Sequence, residues 1–163
     1  MKICTESEIS NSCDLFLIEN QKINFDDLSL FLESTFPHMK KNIPTWISYI
    51  ASHGENMVII DKEKKIQGFL NIEKKSNTLS EINFIGVSPQ IQKKGIGTFL
   101  LNYAEQKNKN NNMSVQELRL HTEGDHMNNL QFYHKNNWKI YNVDKNGYSH
   151  TTAVEYRKKI SSK

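Results

Sequence analysis

Cysteine is scarce in this chain of 163 residues, which has only Cys4 and Cys13. They form no CxxC pair, so no disulfide framework is expected. Also missing is any apolar run near the ~18 residues that a membrane-spanning helix needs. The opening MKICTESEISN is polar and acidic, unlike a signal peptide. These absences point to a cytoplasmic protein with no membrane partner. No block of five or more like charges occurs, since Glu63 interrupts residues 62–65 and the basic run 157–159 is short. With a net charge of only +3, nucleic acid is not an expected partner. The same small excess suits a pocket for an anionic cofactor. Repeats, low-complexity linkers and a second-domain boundary are lacking too. A hydrophobic content of 37% with 24% charged residues therefore reads as one globular domain, residues 1–163, large enough to bury a core.

What is present begins with alternating periods. Ile3 and Cys4 suggest a short strand, and residues 6–20 carry helical spacing in Ile9, Cys13, Phe16 and Leu17. Residues 24–27 look like a helix start, followed by Leu28, Phe31, Leu32 and Thr35, with Pro37 ending it. Residues 40–53 predict a second helix, with Pro44 in the first turn and a stripe of Trp46, Ile47, Ile50 and Ala51. Strands then follow at 57–60, 66–75 and from Leu79 through Val87, an antiparallel meander with turns at 61–65 and Asn77. A helix opens near Ile96 and gives way to an Asn/Lys-rich loop at 108–112; a strand follows over 115–121. Asp125 can cap a short helix through Phe132 and Tyr133, Asn137 can take a left-handed exit, and strands at 138–143 and 153–156 close the chain. The fold class is α+β: a central mixed, mostly antiparallel sheet of about seven strands in the order β-αα-βββ-α-β-α-ββ. The crossover rule makes the strand ending at Val87 parallel to the one ending at His121.

The most informative stretch is EINFIGVSPQIQKKGIGTFLLNYAEQ, residues 81–106. It reads as strand, glycine-bearing loop and amphipathic helix. The first N–H groups of such a helix lack internal partners, the helix dipole makes that end positive, and glycine lets a ligand approach the main chain. Lys93 and Lys94 add charge, so a phosphorylated ligand suits the loop, as does an ordinary wet turn. A P-loop is excluded because Thr98 and Phe99 follow Gly97. The dinucleotide fingerprint is excluded because Leu100 stands where its third glycine belongs.

Gln92, Gly95 and Gly97 match Q/R-x-x-G-x-G/A and so resemble the acetyl-CoA pyrophosphate loop of the GNAT superfamily of N-acetyltransferases. VSPQIQKKGIGTFLL around them, and the order of elements, resemble that family as well. The resemblance implies that main-chain N–H groups of Gln92, Lys93, Lys94, Gly95, Ile96, Gly97 and Thr98 hold the phosphates of acetyl-CoA. It also implies that Ile85, Gly86 and Val87 polarise the acyl carbonyl, and that a primary amine attacks the thioester directly. FYHKNNW, residues 132–138, resembles the family's F-Y-x-K-x-G-F element, with Asn137 in place of glycine. By that resemblance Tyr133 protonates the departing thiolate; without it, a tyrosine packing a short helix against the core explains the residue better. The family's usual cofactor-binding Asn falls at His126 here, which leaves Asn128 and Asn129, or His126 itself, as replacements.

Glu81 lies eleven positions before Gln92, the spacing at which the histone-acetylating branch carries its catalytic glutamate. It is the candidate base, with His121 and Glu123 as rivals. His121, Glu123 and Asp125 could share one face, but a solvated loop explains them, and no metal is expected. Cys13 as a nucleophile is disfavoured against a small apolar role. Trp46, Tyr49 and Phe36 are candidates to line the acceptor site. A non-catalytic acyl-CoA-binding domain is the alternative function. The amine acceptor stays open, as does the oligomeric state, a homodimer included.

Overall fold

A computed structural model describes residues 2–5, 14–19, 23–110, 116–147 and 151–160. Eight strands form one sheet: β1 (Ile3–Thr5), β2 (Leu15–Glu19), β3 (Glu55–Asp61), β4 (Ile66–Lys74), β5 (Leu79–Val87), β6 (Glu117–Glu123), β7 (Lys139–Asp144) and β8 (Ala153–Lys159). Among the described residues four helices accompany them: α1 (Phe25–Thr35), α2 (Ile43–Ser52), α3 (Ile96–Asn110) and α4 (Met127–Lys135). The strand order is β1-β2-β3-β4-β5-β6-β8-β7, which is the α+β mixed sheet expected, with one strand more. No helix among the described residues is long and apolar enough to cross a membrane.

The extra strand corrects the reading of residues 6–20 as a helix. Leu15–Glu19 is extended, with Leu15 and Leu17 buried in alternation, and it pairs antiparallel with β3 from Leu15↔Asp61 to Glu19↔Met57. A four-residue apolar run satisfies either period, and the neighbouring strand decided it. Residues 6–13 lie outside the described part, Ile9 and Cys13 among them. Cys4, 1% exposed, is disulfide-bonded, which corrects the expectation of no disulfide. The chain closes on itself there: the Asp14 N–H donates to the Lys2 carbonyl at 3.1 Å.

The chain divides into two compact units. The first comprises Met1–Ile72 and Phe84–Leu101. Its helix α1 starts where the sequence says it should, because the Asn24 side chain accepts from the N–H groups of Asp26 and Asp27. Leu28, Phe31 and Leu32 then form a core with Ile43 and Ile50 of α2, Val58 and Phe69. A 3-10 turn, Pro37–Asn42, leads into α2, whose second residue is Pro44. Ala51, expected on the stripe of α2, is exposed instead. Gly68 lets α3 close on β4, since an added Cβ would come within 3.2 Å of Ile96 Cγ2.

The second unit comprises Glu73–Asn83 and Asn102–Lys163. β5 runs parallel to β6, as the crossover rule required, in a ladder from Leu79↔Glu117 to Ile82↔Leu120. β8 pairs antiparallel with β6 on one side and β7 on the other. The Asn/Lys-rich loop at 108–112 is corrected in its first part, because α3 continues to Asn110. Asn108 is 4% exposed; its Nδ2 donates to the Ala104 carbonyl at 2.7 Å and its Oδ1 accepts from the Ser80 hydroxyl at 2.8 Å. Burial with both polar ends satisfied outweighs asparagine's poor helix propensity.

Candidate active site

In the first unit the loop grows out of β5. Ser88 is buried, and its N–H donates to the Gln67 carbonyl at 2.9 Å, pinning the strand's end to β4. The short 3-10 turn Pro89–Ile91 follows, closed by the Ile91 N–H to the Ser88 carbonyl at 3.0 Å. Gln92 reaches back, its Nε2 donating to the Val87 carbonyl at 3.1 Å. Lys93 has φ +62° and Gly95 φ +89°, two left-handed residues that turn the backbone into α3. A Cβ added at Gly95 would meet nothing within 4 Å, so this glycine is required by its backbone angle and faces open space. The first bond of α3 runs from the Phe99 N–H to the Gly95 carbonyl at 2.9 Å. The N–H groups of Ile96, Gly97 and Thr98 therefore have no partner inside the helix. Gln92, Lys93, Lys94 and Gly95 are exposed, while Ile96 at 1% anchors the helix beneath them.

Within the same unit an aromatic cluster gathers beside β5. Trp46 meets Phe84 at 5.3 Å and Phe36 edge-on at 5.9 Å, and Tyr49 meets Phe84 at 6.3 Å and stacks on His53 at 4.3 Å. Gly86 leaves room for Phe36, whose ring would lie 3.2 Å from an added Cβ. Phe84 was not among the sequence candidates, and no spacing marks it out, since only packing shows it at the centre of the cluster. Ile85 and Val87 are half-buried.

In the second unit Glu81 is held on every side. Its Oε2 accepts from Arg119 Nη2 at 2.8 Å, its Oε1 lies 3.1 Å from His121 Nδ1, and Lys75 Nζ stands 3.7 Å away. Burial pushes the carboxyl upward, but the hydrogen bonds from His121 and Arg119 and the charges of Arg119 and Lys75 outweigh it. The result is a value near 2, lowered from 4.5. Arg119 is the cross-strand partner of Glu81 in the parallel register, information the sequence does not carry. The network continues outward: His121 Nε2 lies 3.8 Å from Glu155 Oε2, and Arg157 donates to Glu155 and Glu117 while stacking on Tyr141 at 3.4 Å.

The low value at Glu81 has a consequence for stability. A carboxyl depressed in the folded state stabilises it above the unfolded value of 4.5, and that stability is lost as the pH falls toward 2. The shift corresponds to something on the order of 3 kcal/mol. Urea unfolding should show wild type losing this increment between about pH 4.5 and about pH 2, with Glu81→Gln following a flatter course. Parallel pH dependence of the two proteins would exclude it.

Tyr133 lies in α4, 6% exposed, with its ring 5.3 Å from Tyr156, 5.2 Å from Phe132 and 6.4 Å from Trp138. The helix ends in a Schellman motif. Trp138 N–H donates to the Tyr133 carbonyl at 3.0 Å and Asn137 N–H to the His134 carbonyl at 3.0 Å, with Asn137 at φ +63° as expected. Lys158 Nζ reaches the Asn136 carbonyl at 3.0 Å. The Asp125 cap is corrected: His126 is the N-cap with no side-chain bond, and the Asp125 carboxylate accepts from the Thr151 hydroxyl at 3.0 Å. Asn128 and Asn129 are exposed, and Asn129 Nδ2 points to Thr122 Oγ1 at 3.4 Å. Glu123 lies 3.2 Å from His126 Nε2. His121, Glu123 and Asp125 thus each face a different partner.

Comparison with known proteins agrees with this architecture. Residues 24–138 match the model of the acetyltransferase (GNAT) family. No curated protein matches the chain. Among solved structures, the chain is similar to the ribosomal-protein-S18-alanine N-acetyltransferase from Escherichia coli, with a TM-score of 0.78 and 14% identity over 91% of this chain and 96% of that one. A GNAT family acetyltransferase from Elizabethkingia anophelis with acetyl-CoA bound gives 0.71 and 20% identity over 90% and 98%. An aminoglycoside 6'-N-acetyltransferase complexed with coenzyme A gives 0.73 and 18% over 90% and 98%. At these identities the structures show a shared fold. The family match covers most of the chain, and the strand-loop-helix of residues 79–110 lies inside it: this chain belongs to the acetyltransferase (GNAT) family and is an acyltransferase.

Proposed function

We propose that the 163 residues form one acetyltransferase domain that transfers an acetyl group from acetyl-CoA to a primary amine. The observation that carries this is the entrance to α3. It has a left-handed glycine facing open space, unpartnered N–H groups behind it and two exposed lysines beside it. Such an entrance suits a diphosphate, because backbone donors and a positive dipole converge there without a side chain in the way. Gln92, Lys93, Lys94, Gly95, Ile96, Gly97 and Thr98 would hold it.

The rest of the donor would run along the end of β5, which continues to Val87. Main-chain N–H groups of Ile85, Gly86 and Val87 would polarise the acyl carbonyl as its oxygen gains charge. Tyr133 would protonate the departing thiolate, and Asn128 and Asn129 would contact the donor from α4. The half-buried aromatic rings of Phe36, Trp46, Tyr49 and Phe84 would face the acceptor. Aminoglycosides and the alanine of ribosomal protein S18, named for two of the similar structures, are starting acceptors for a screen.

The test is calorimetry with coenzyme A and acetyl-CoA, followed by thiol release across a panel of amines. Saturable heat and a raised melting temperature are expected, with thiol released only when a suitable amine is present. Absence of both heat and melting shift at millimolar ligand would end the proposal.

A further inference from the structure

Glu81 and His121 make one unit on the charged face of the second unit's sheet. An ionised carboxylate only accepts hydrogen bonds, so the imidazole must offer Nδ1–H to Glu81 Oε1 across their 3.1 Å. In the neutral ring that fixes the tautomer and puts the lone pair on Nε2. Glu155 Oε2, 3.8 Å from Nε2, is beyond hydrogen-bond reach, and its Oε1 already accepts from Arg157 at 2.7 Å. The His121 side chain is 36% exposed against 12% for Glu81, so the ring, more than the carboxylate, meets solvent. The charged groups around it are Glu81 and Lys75 from the β4–β5 side, Arg119 and Glu123 on its own strand, and Glu155 on β8.

We propose that His121 Nε2 takes the proton from the acceptor amine, with Glu81 as the positioning residue that holds the ring and its tautomer. This deepens the acetyl-transfer reading and rests on it. Glu81 is poorly suited to do the work itself. Both its oxygens are engaged, and a carboxylate of such low proton affinity is far from matching an ammonium. The ammonium R–NH3+ gives one proton to Nε2, which passes it to water. The neutral nitrogen then forms the C–N bond as the C–S bond breaks, the thiolate takes the Tyr133 proton, and the nitrogen's second proton restores Tyr133. The sum is amide, thiol and one proton released.

Long-range proton–nitrogen NMR on the intact protein tests the tautomer without any substrate. The neutral His121 ring, identified by its loss in His121→Gln, should carry its proton on Nδ1 and none on Nε2, and Glu81→Gln should abolish that preference. A neutral ring protonated on Nε2 alone overturns the proposal. With an amine found by the screen, His121→Gln should lower kcat/KM about 10²-fold near neutrality. The deficit should narrow as rising pH deprotonates the amine unaided, while the melting shift with coenzyme A stays. A variant with wild-type rate and pH profile refutes the role of His121. Loss of coenzyme A binding in wild type would instead bring down the acetyl-transfer reading, and this inference with it.

Discussion

Tyr133→Phe should lower kcat by about 10²–10⁴-fold, the range that positioned proton transfer supplies, while leaving coenzyme A affinity nearly unchanged. The substitution keeps the ring and therefore its packing against Phe132, Tyr156 and Trp138. The Schellman motif uses only the backbone of Tyr133, so the helix end survives too. A purely structural tyrosine would show kcat retained. The measurement is steady-state kinetics with thiol detection alongside thermal melts. Equal kcat in the two proteins would take Tyr133 out of the chemistry.

Gly95→Val separates backbone strain from ligand approach. At φ +89° an L side chain costs ~1–2 kcal/mol, and the new atoms meet no protein neighbour within 4 Å. The folded protein should therefore lose only that increment in urea unfolding. Coenzyme A should suffer much more, because the side chain stands where a diphosphate would approach the main chain. Displacing two charge-assisted hydrogen bonds at ~1.5–3 kcal/mol each predicts an affinity loss of about 10²–10⁴-fold by calorimetry. A variant that binds coenzyme A like wild type would remove the loop from the binding site. Gly95→Ala should fall between the two, since its single methyl carries the same backbone penalty with less bulk.

Local chemistry made much of this legible. Asn24 ahead of Asp26 and Asp27 announces a helix by what its side chain can accept, and the helix begins there. Pro44 and Pro37 mark boundaries because a proline lacks the N–H that a helix interior needs. Asn137 stands at the helix exit because asparagine tolerates a positive φ, and it has one. The loop from Gln92 to Gly97 could be read from six residues because the turn it makes depends on glycine at Gly95 and on nothing distant.

Tertiary structure decided the rest, wherever two segments far apart in sequence settle each other's state. Residues 15–19 became a strand because β3 offered them a ladder, and α3 ran to Asn110 because Ser80, 28 residues before Asn108, satisfied that buried side chain. Glu81 was visible as a carboxylate at a suggestive spacing. Its partners Arg119 and His121, 38 and 40 residues on, arrive only through the parallel register of β5 with β6. Sequence sets what a residue can donate, accept or bury. Only the pairing of strands sets which charge stands opposite which, and in this protein that pairing turned a lone candidate base into half of a carboxylate–imidazole pair.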